Sequence, residues 1–347
     1  EAVKTNITTS IAYSFSEGVR SYGEILAKYY NSINIPVKKS DIIVTTGGSE
    51  AIIFALNSIM NNGDEILIPE PFYANYTCFA MQCNAVVVPI TARIENNFAL
   101  PPIESFEDKI TPKTKAIIIC NPGNPTGYLY SKAELEKLRD IAVKHDLFII
   151  ADEVYRDFCY DGAKHVSIME IEGMENHAIM IDSVSKKFSM CGVRVGAIVS
   201  RNREVMDAAM RLAQARLSPP LFGQMAAEGA FSVSKDYFEK VNAEYKRRRN
   251  FLVEELNKIP NVFCPMPKGA FYAIVKLPVD DVDVFAKWML ESFSYEGGTV
   301  MVAPASGFYA TPGLGKQEAR LAYVLEIEDL KKAVQILAKG IEAYNNR

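Results

Sequence analysis

Serines, a pair of adjacent lysines and an arginine share the stretch 182–196, interleaved with small residues that let a backbone come close to a ligand. A lysine amine can condense with an aldehyde, and an arginine beside hydroxyls can hold a phosphate. An aldehyde and a phosphate on one small molecule describe pyridoxal 5'-phosphate (PLP). Apolar runs flank the stretch, at 178–181 and 197–199, and read as strands buried on both faces. A solvated loop between two strands is the plain alternative, so the weight falls on what else the chain brings to the same place.

Other residues of matching chemistry follow strand-like runs elsewhere. The run 42–46 breaks at Gly47-Gly48-Ser49-Glu50 and passes into a helical pattern, leaving free N–H groups ready for an anion. Tyr73 follows a strand and two prolines, where an aromatic side chain can stack on a planar ring or simply pack. The strand 115–120 ends in Asn121-Pro122-Gly123-Asn124-Pro125-Thr126-Gly127, rich in rigid turn residues. The strand 147–151 ends at Asp152-Glu153-Val154-Tyr155, where the carboxylate is either a ligand group or a helix cap.

Positioning these groups requires a particular framework. Strands alternating with helices predict an α/β fold, a doubly wound and mostly parallel sheet with helices on both faces. In such sheets ligands sit beyond the carboxyl ends of the strands, so Gly48, Tyr73, Asn124, Asp152 and Lys186 should converge on one crevice. Helical patterns follow at 203–215, 220–232 and 235–259. Strands at 263–277, 300–304 and 320–325 with a last helix at 327–344 predict a smaller α+β unit. The expected division is a large domain over 1–220 and a small C-terminal domain over 221–347.

Composition narrows the classes. With 347 residues, 49% of them hydrophobic, and a net charge of −4, the chain suits an ordinary globular enzyme and has no global electrostatic reason to bind nucleic acid. The basic run Lys246-Arg247-Arg248-Arg249 reads as a solvated helix face. No apolar run reaches membrane-spanning length. Six scattered cysteines read as buried free thiols in a reducing, cytoplasmic setting, and three separated histidines predict no metal site.

These motifs resemble those of the class I/II aminotransferases, PLP enzymes of fold type I, and most closely the aspartate aminotransferase branch. The likeness runs from Tyr13 to the C-terminus and is carried by Ser183-Val-Ser-Lys186 with Arg194, by Asn124-Pro-Thr-Gly, by Asp152-Glu-Val-Tyr155 and by Pro71-Phe-Tyr73. The resemblance implies Lys186 as the Schiff-base lysine, with Lys187 one place outside the motif. It implies Ser183, Arg194, Gly48, Ser49 and Glu50 around the phosphate, and Asp152 on the ring nitrogen. Asn124 and Tyr155 would serve the ring hydroxyl, and Tyr73 would stack on the ring. Arg320 would clamp the substrate α-carboxylate beside Asn124, and Tyr13 would reach the phosphate of a partner subunit in a homodimer. The implied reaction moves an amino group from an L-amino acid, aspartate among the candidates, to a 2-oxo acid such as 2-oxoglutarate. A PLP-dependent carbon–sulfur β-lyase is the alternative on the same fold. Ser49 stands where some aspartate-using relatives carry lysine, and the segment Pro304-Ala-Ser-Gly-Phe308 departs from the family pattern near the substrate.

Overall fold

A computed structural model describes residues 11–347. Its larger half begins with α1 (Arg20–Ser32), β1 (Ile42–Thr45), α2 (Gly47–Ile59), β2 (Glu65–Glu70), α3 (Asn75–Gln82) and β3 (Val86–Thr91). It continues through α4 (Glu104–Glu107), β4 (Thr114–Cys120), α5 (Lys132–His145), β5 (Phe148–Asp152), β6 (Ala178–Ser183), α6 (Val184–Lys187) and β7 (Gly196–Val199). The Ile-rich strands are buried along most of their length, as strands covered by helices on both faces must be. Helix α5 starts where the sequence signals it: Ser131 and Glu134 bond reciprocally in a capping box.

The strand order is β1-β7-β6-β5-β4-β2-β3. The pairs from β3 across to β6 are parallel, whereas β7 runs against both β6 and β1. This reversal positions the site. Because Gly196 pairs with both Ser183 and Thr45, the start of β7 lies at the same sheet edge as the ends of β1 and β6. Asp152 and Cys120, paired in register, end β5 and β4 at that edge too. The mostly parallel, doubly wound sheet expected from the alternation is therefore what forms, with one antiparallel strand inserted.

Helices α7 (Arg203–Arg216), α8 (Leu221–Ala230) and α9 (Lys235–Leu256) lead to a second, three-stranded sheet of order β8-β10-β9: β8 (Tyr272–Lys276), β9 (Ala303–Pro304) and β10 (Glu318–Ala322). Helices α10 (Val282–Glu291) and α11 (Ile327–Asn345) complete its core, around Phe285, Leu256 and Tyr323. Helix α8 packs on the larger half, through Ala227 in its main core.

Several expectations need correction. Strand β9 is only two residues long, and the expected strand at 263–277 narrows to five residues. The connection 96–112 adds to the core, burying Phe98 and Phe106. The basic run on α9 is not a solvated face throughout: Arg249 is 1% exposed, lies 4.8 Å from the Tyr160 ring centre and pairs with Asp161 at 2.7 Å. All six cysteines are free as expected, but Cys78 and Cys191 are exposed. No helix among the described residues is long and apolar enough to cross a membrane.

Gly196 is the tightest point of this arrangement. A Cβ there would meet the Gly47 carbonyl carbon at 2.6 Å, the Asp182 oxygen at 2.7 Å and the Gly48 nitrogen at 2.8 Å, all of them backbone. Gly196→Ala is therefore expected to lower unfolding free energy by roughly 1–3 kcal/mol, read from urea denaturation; an unchanged midpoint would contradict the close approach.

Candidate active site

At the shared strand edge a cavity of about 390 Å³ is lined by Gly48, Ser49, Tyr73, Asn124, Asp152 and Tyr155, and by Ser183, Lys186, Arg194 and Arg320. Ten of the sequence-derived candidates thus meet at one place, contributed by both sheets.

Lys186 sits in the single turn of α6, begun by Ser183, whose hydroxyl caps it by accepting from the Ser185 N–H. Its Nζ lies 5.8 Å from the Tyr155 ring centre and 6.0 Å from that of Phe271, with no hydrogen-bond partner among the described residues. Lys187, by contrast, is buried on the other side of the turn. Its ammonium pairs with Asp157 at 3.0 Å and lies 3.7 Å from the Tyr29 ring centre. A helix turn sends neighbouring side chains in different directions, so only Lys186 faces the cavity.

Asp152 is 6% exposed. Its Oδ2 accepts from the Tyr76 hydroxyl at 2.8 Å and its Oδ1 from the Val154 N–H at 3.4 Å. Burial pushes its carboxyl up to about 6 despite these bonds. The next residue, Glu153, points into a separate network with Ser167, Ile168 and Arg156. There burial pushes the Glu153 carboxyl up to about 7 and drives His165 down to about 3, keeping that imidazole neutral.

An anion cradle faces Lys186. Arg194 adopts a left-handed backbone, φ 54°, and anchors itself by donating from Nη1 to the Cys191 carbonyl at 2.8 Å. A Cβ on Gly47, which has φ +79°, would collide with the Arg194 guanidinium, so this glycine leaves room for the arginine. Gly48 meets only ordinary contacts, so the steric demand falls on its neighbour. Beside Arg194 lie the start of α2, with Gly48 and Ser49, and the hydroxyls of Ser183 and Ser185, 2.8 Å apart. Glu50 does not line the cavity: its Oε2 accepts from the Thr46 N–H at 2.7 Å and from Arg216 at 2.5 Å. Tyr13, 81% exposed, is not among the lining residues either.

The opposite wall comes from the smaller sheet. Arg320 on β10 donates from Nη1 to Asn124 Oδ1 at 3.1 Å and lies 4.8 Å from the Tyr272 ring centre and 4.9 Å from that of Phe308. Its other guanidinium nitrogens have no protein partner among the described residues, leaving a fork suited to a carboxylate. The Tyr155 and Tyr272 hydroxyls are 3.2 Å apart. Tyr76, Tyr272 and Ser185 were missed by sequence reasoning, whereas Phe308 lies in the 304–308 segment expected near the substrate. Only Ser185 carried a visible signal, as the second serine of the lysine motif.

The group thus offers an anion cradle at one end, a guanidinium fork suited to a carboxylate at the other, and between them a buried carboxylate and an amine without a protein partner among the described residues. A family model described as "Aminotransferase class I and II" matches residues 6–337. A Bacillus subtilis protein named aspartate aminotransferase is 32% identical over 330 residues, covering 92% of this chain and 81% of that one. An aromatic-amino-acid aminotransferase of Thermococcus litoralis is 33% identical over 338 residues, 95% of this chain and 84% of that one. The solved structure of Thermus thermophilus aspartate aminotransferase with maleate superposes with a TM-score of 0.89 at 29% identity, covering 98% of this chain and 86% of that one.

The raised Asp152 carboxyl has a signed consequence. Because the folded value, about 6, exceeds the ordinary 3.8, the ionised group opposes folding above pH 6, and the penalty disappears below pH 4. Asp152→Asn is expected to raise the melting temperature of ligand-free protein at pH 7.5, by up to roughly 3 kcal/mol of stability, and to lose that gain at pH 4. A pH-independent effect, or destabilisation at pH 7.5, would contradict the assignment.

Proposed function

The chain belongs to the class I and II aminotransferase family and is an enzyme of that class, and on that premise we propose that it works with PLP held between Lys186, Asp152 and Arg194. The observation that carries the proposal is the meeting of a free amine, a buried carboxylate and an anion cradle around one cavity. The fit is supported by the space Gly47 leaves for Arg194 and by the dearth of protein partners for Lys186 and for most of the Arg194 fork. The proposed phosphate ligands are Arg194, Ser183, Ser185 and the N–H groups at the start of α2, including Gly48, Ser49 and Glu50. Glu50 would serve through its backbone, its carboxylate being engaged by Arg216.

When bound, PLP supplies a conjugated ring that accepts the electron pair left at the substrate Cα. The chain's residues supply the rest. Asp152, in its low-dielectric niche, would hold a proton on the ring nitrogen through its negative charge, which it shares with the Tyr76 hydroxyl at 2.8 Å and the Val154 N–H at 3.4 Å. Arg320 grips the substrate α-carboxylate with Asn124 and so fixes which Cα bond faces Lys186. Lys186 Nζ then takes the Cα proton as general base and returns one as general acid. Tyr155, whose hydroxyl lies 3.2 Å from that of Tyr272, would hydrogen-bond the ring hydroxyl with Asn124, and Tyr73 would cover a ring face.

Aspartate is the proposed leading donor, on the relatives' names, and 2-oxoglutarate the proposed acceptor, a 2-oxo acid whose carboxylate suits the Arg320 fork. The β-lyase alternative has no observation in its favour and is not carried forward. A homodimer and a cytoplasmic setting complete the proposal. They are supported by exposed Tyr13 and Phe15 near the larger half and by six unpaired cysteines.

Wild-type protein reconstituted with PLP should absorb in the visible and transaminate. Lys186→Ala should lose that band and about 10⁴-fold in kcat, read from a donor panel against 2-oxoglutarate and pyruvate. Retained activity in Lys186→Ala would sink the reading. Sedimentation at assay concentration is expected to give a dimer; a fully active monomer would remove Tyr13 from the site.

A further inference from the structure

Glu70 ends β2 with its side chain fully buried, yet it lines no part of the active-site cavity. Its Oε1 accepts from the Thr91 hydroxyl at 2.7 Å on the neighbouring strand. Its Oε2 accepts two backbone N–H groups of the segment after β9, Ala310 at 2.8 Å and Thr311 at 3.0 Å. One carboxylate thus bridges the seven-stranded sheet and the three-stranded half. No Lys, Arg or His among the described residues pairs with it at salt-bridge distance. Packing alone would be served more cheaply by an uncharged residue, since a buried carboxylate carries a desolvation cost. What the charge adds is two charge-assisted bonds that fix a loop in one position.

That loop leads to substrate. Just before Ala310, the Phe308 carbonyl accepts from the Phe72 N–H at 2.9 Å, a second tie to the larger half. Tyr309 donates to Glu318 Oε2 at 2.6 Å, two residues from Arg320 on β10. The Phe308 ring lies 4.9 Å from the Arg320 guanidinium carbon and is one of the two aromatic surfaces that support it. A long arginine keeps its fork aimed only if its rotamers are restricted, and here part of that restriction comes from the Phe308 ring, whose segment Glu70 holds at Ala310 and Thr311.

We propose that Glu70 is a positioning residue for the substrate-carboxylate site: it ties residues 308–311 to the larger sheet and so fixes the aromatic support of Arg320. This rests on the reading that Arg320 binds the α-carboxylate. Glu70 touches neither the cavity nor the cofactor cradle, so its influence should fall on carboxylate binding and leave proton transfer alone.

The test is Glu70→Gln in the PLP-loaded enzyme, beside Arg320→Lys. Expected for Glu70→Gln is a rise of roughly tenfold in the KM of donor and acceptor together, with kcat within about twofold. The dissociation constant of maleate, used as an unreactive carboxylate probe in equilibrium binding, should rise in parallel while PLP affinity stays unchanged. Phe308→Leu should give the same KM-only change, and the double variant should exceed neither single by the full product, because both act through one support. If Glu70→Gln fails to fold, Phe308→Leu alone must show the KM-only change. A fall in kcat and PLP affinity alongside KM would mark a merely structural residue and overturn the proposal, as would unchanged KM values. If Arg320→Lys raises KM but Glu70→Gln does not, the positioning role fails and the Arg320 reading stands. If neither does, the Arg320 reading itself fails.

Discussion

A carboxylate kept out of water at the end of β5 is the constraint on which the site depends. Desolvation works against the charge of Asp152, and two hydrogen bonds, from Tyr76 and the Val154 N–H, only partly offset it. The surroundings are arranged so that Asp152 is the negative charge left facing the cavity. Its neighbour Asp182 adds repulsion to the burial cost, tempered by the Tyr30 hydroxyl at 2.8 Å and by Arg156 at 3.4 Å. Glu153, adjacent in sequence, faces away as alternation along extended chain requires, and shares Arg156. A cationic ring nitrogen entering above Asp152 would relieve the desolvation penalty, which gives a physical reason for tight binding there.

The sheet explains how the remaining groups find this carboxylate. Parallel strands β4, β5 and β6 end along one edge, and reversed β7 starts from that same edge just after Arg194. Amine, acid and anion cradle are thereby held by backbone pairing. The carboxylate clamp is different: Arg320 belongs to the three-stranded half and reaches the cavity across the junction, touching Asn124. The groups proposed to hold the cofactor are therefore built into one half, and the proposed substrate clamp depends on how the second half is fastened to it.

Much of this was legible in the sequence, for identifiable reasons. Lys186, Asp152 and Asn124 stand just past buried strands, and an alternating α/β pattern forces such positions together. The antiparallel β7 was not legible, because a four-residue apolar run has no direction in it. Tyr76 lies in a helix and Tyr272 in a strand, and an aromatic residue in either carries no mark distinguishing a core ring from one whose hydroxyl reaches a site. Arg249 was misread because a run of basic residues looks solvated until tertiary packing buries one of them beside Tyr160. Gly47, not Gly48, proved to be the sterically required glycine, a distinction that depends on where the Arg194 side chain lies. Glu70 gave no signal at all, since two of its three partners are backbone groups some 240 residues away and the third is the Thr91 hydroxyl on a neighbouring strand.

The central claim is that Asp152 holds a proton on the nitrogen of a bound PLP ring. Reconstituting the protein with PLP labelled with ¹⁵N in the ring and recording the nitrogen chemical shift from pH 6 to 9 tests it most directly. The account predicts a pyridinium shift throughout that range in the wild-type protein and a neutral-pyridine shift at pH 8 in Asp152→Asn. A neutral ring nitrogen in the wild type at pH 8, or identical spectra for the two proteins, would contradict it.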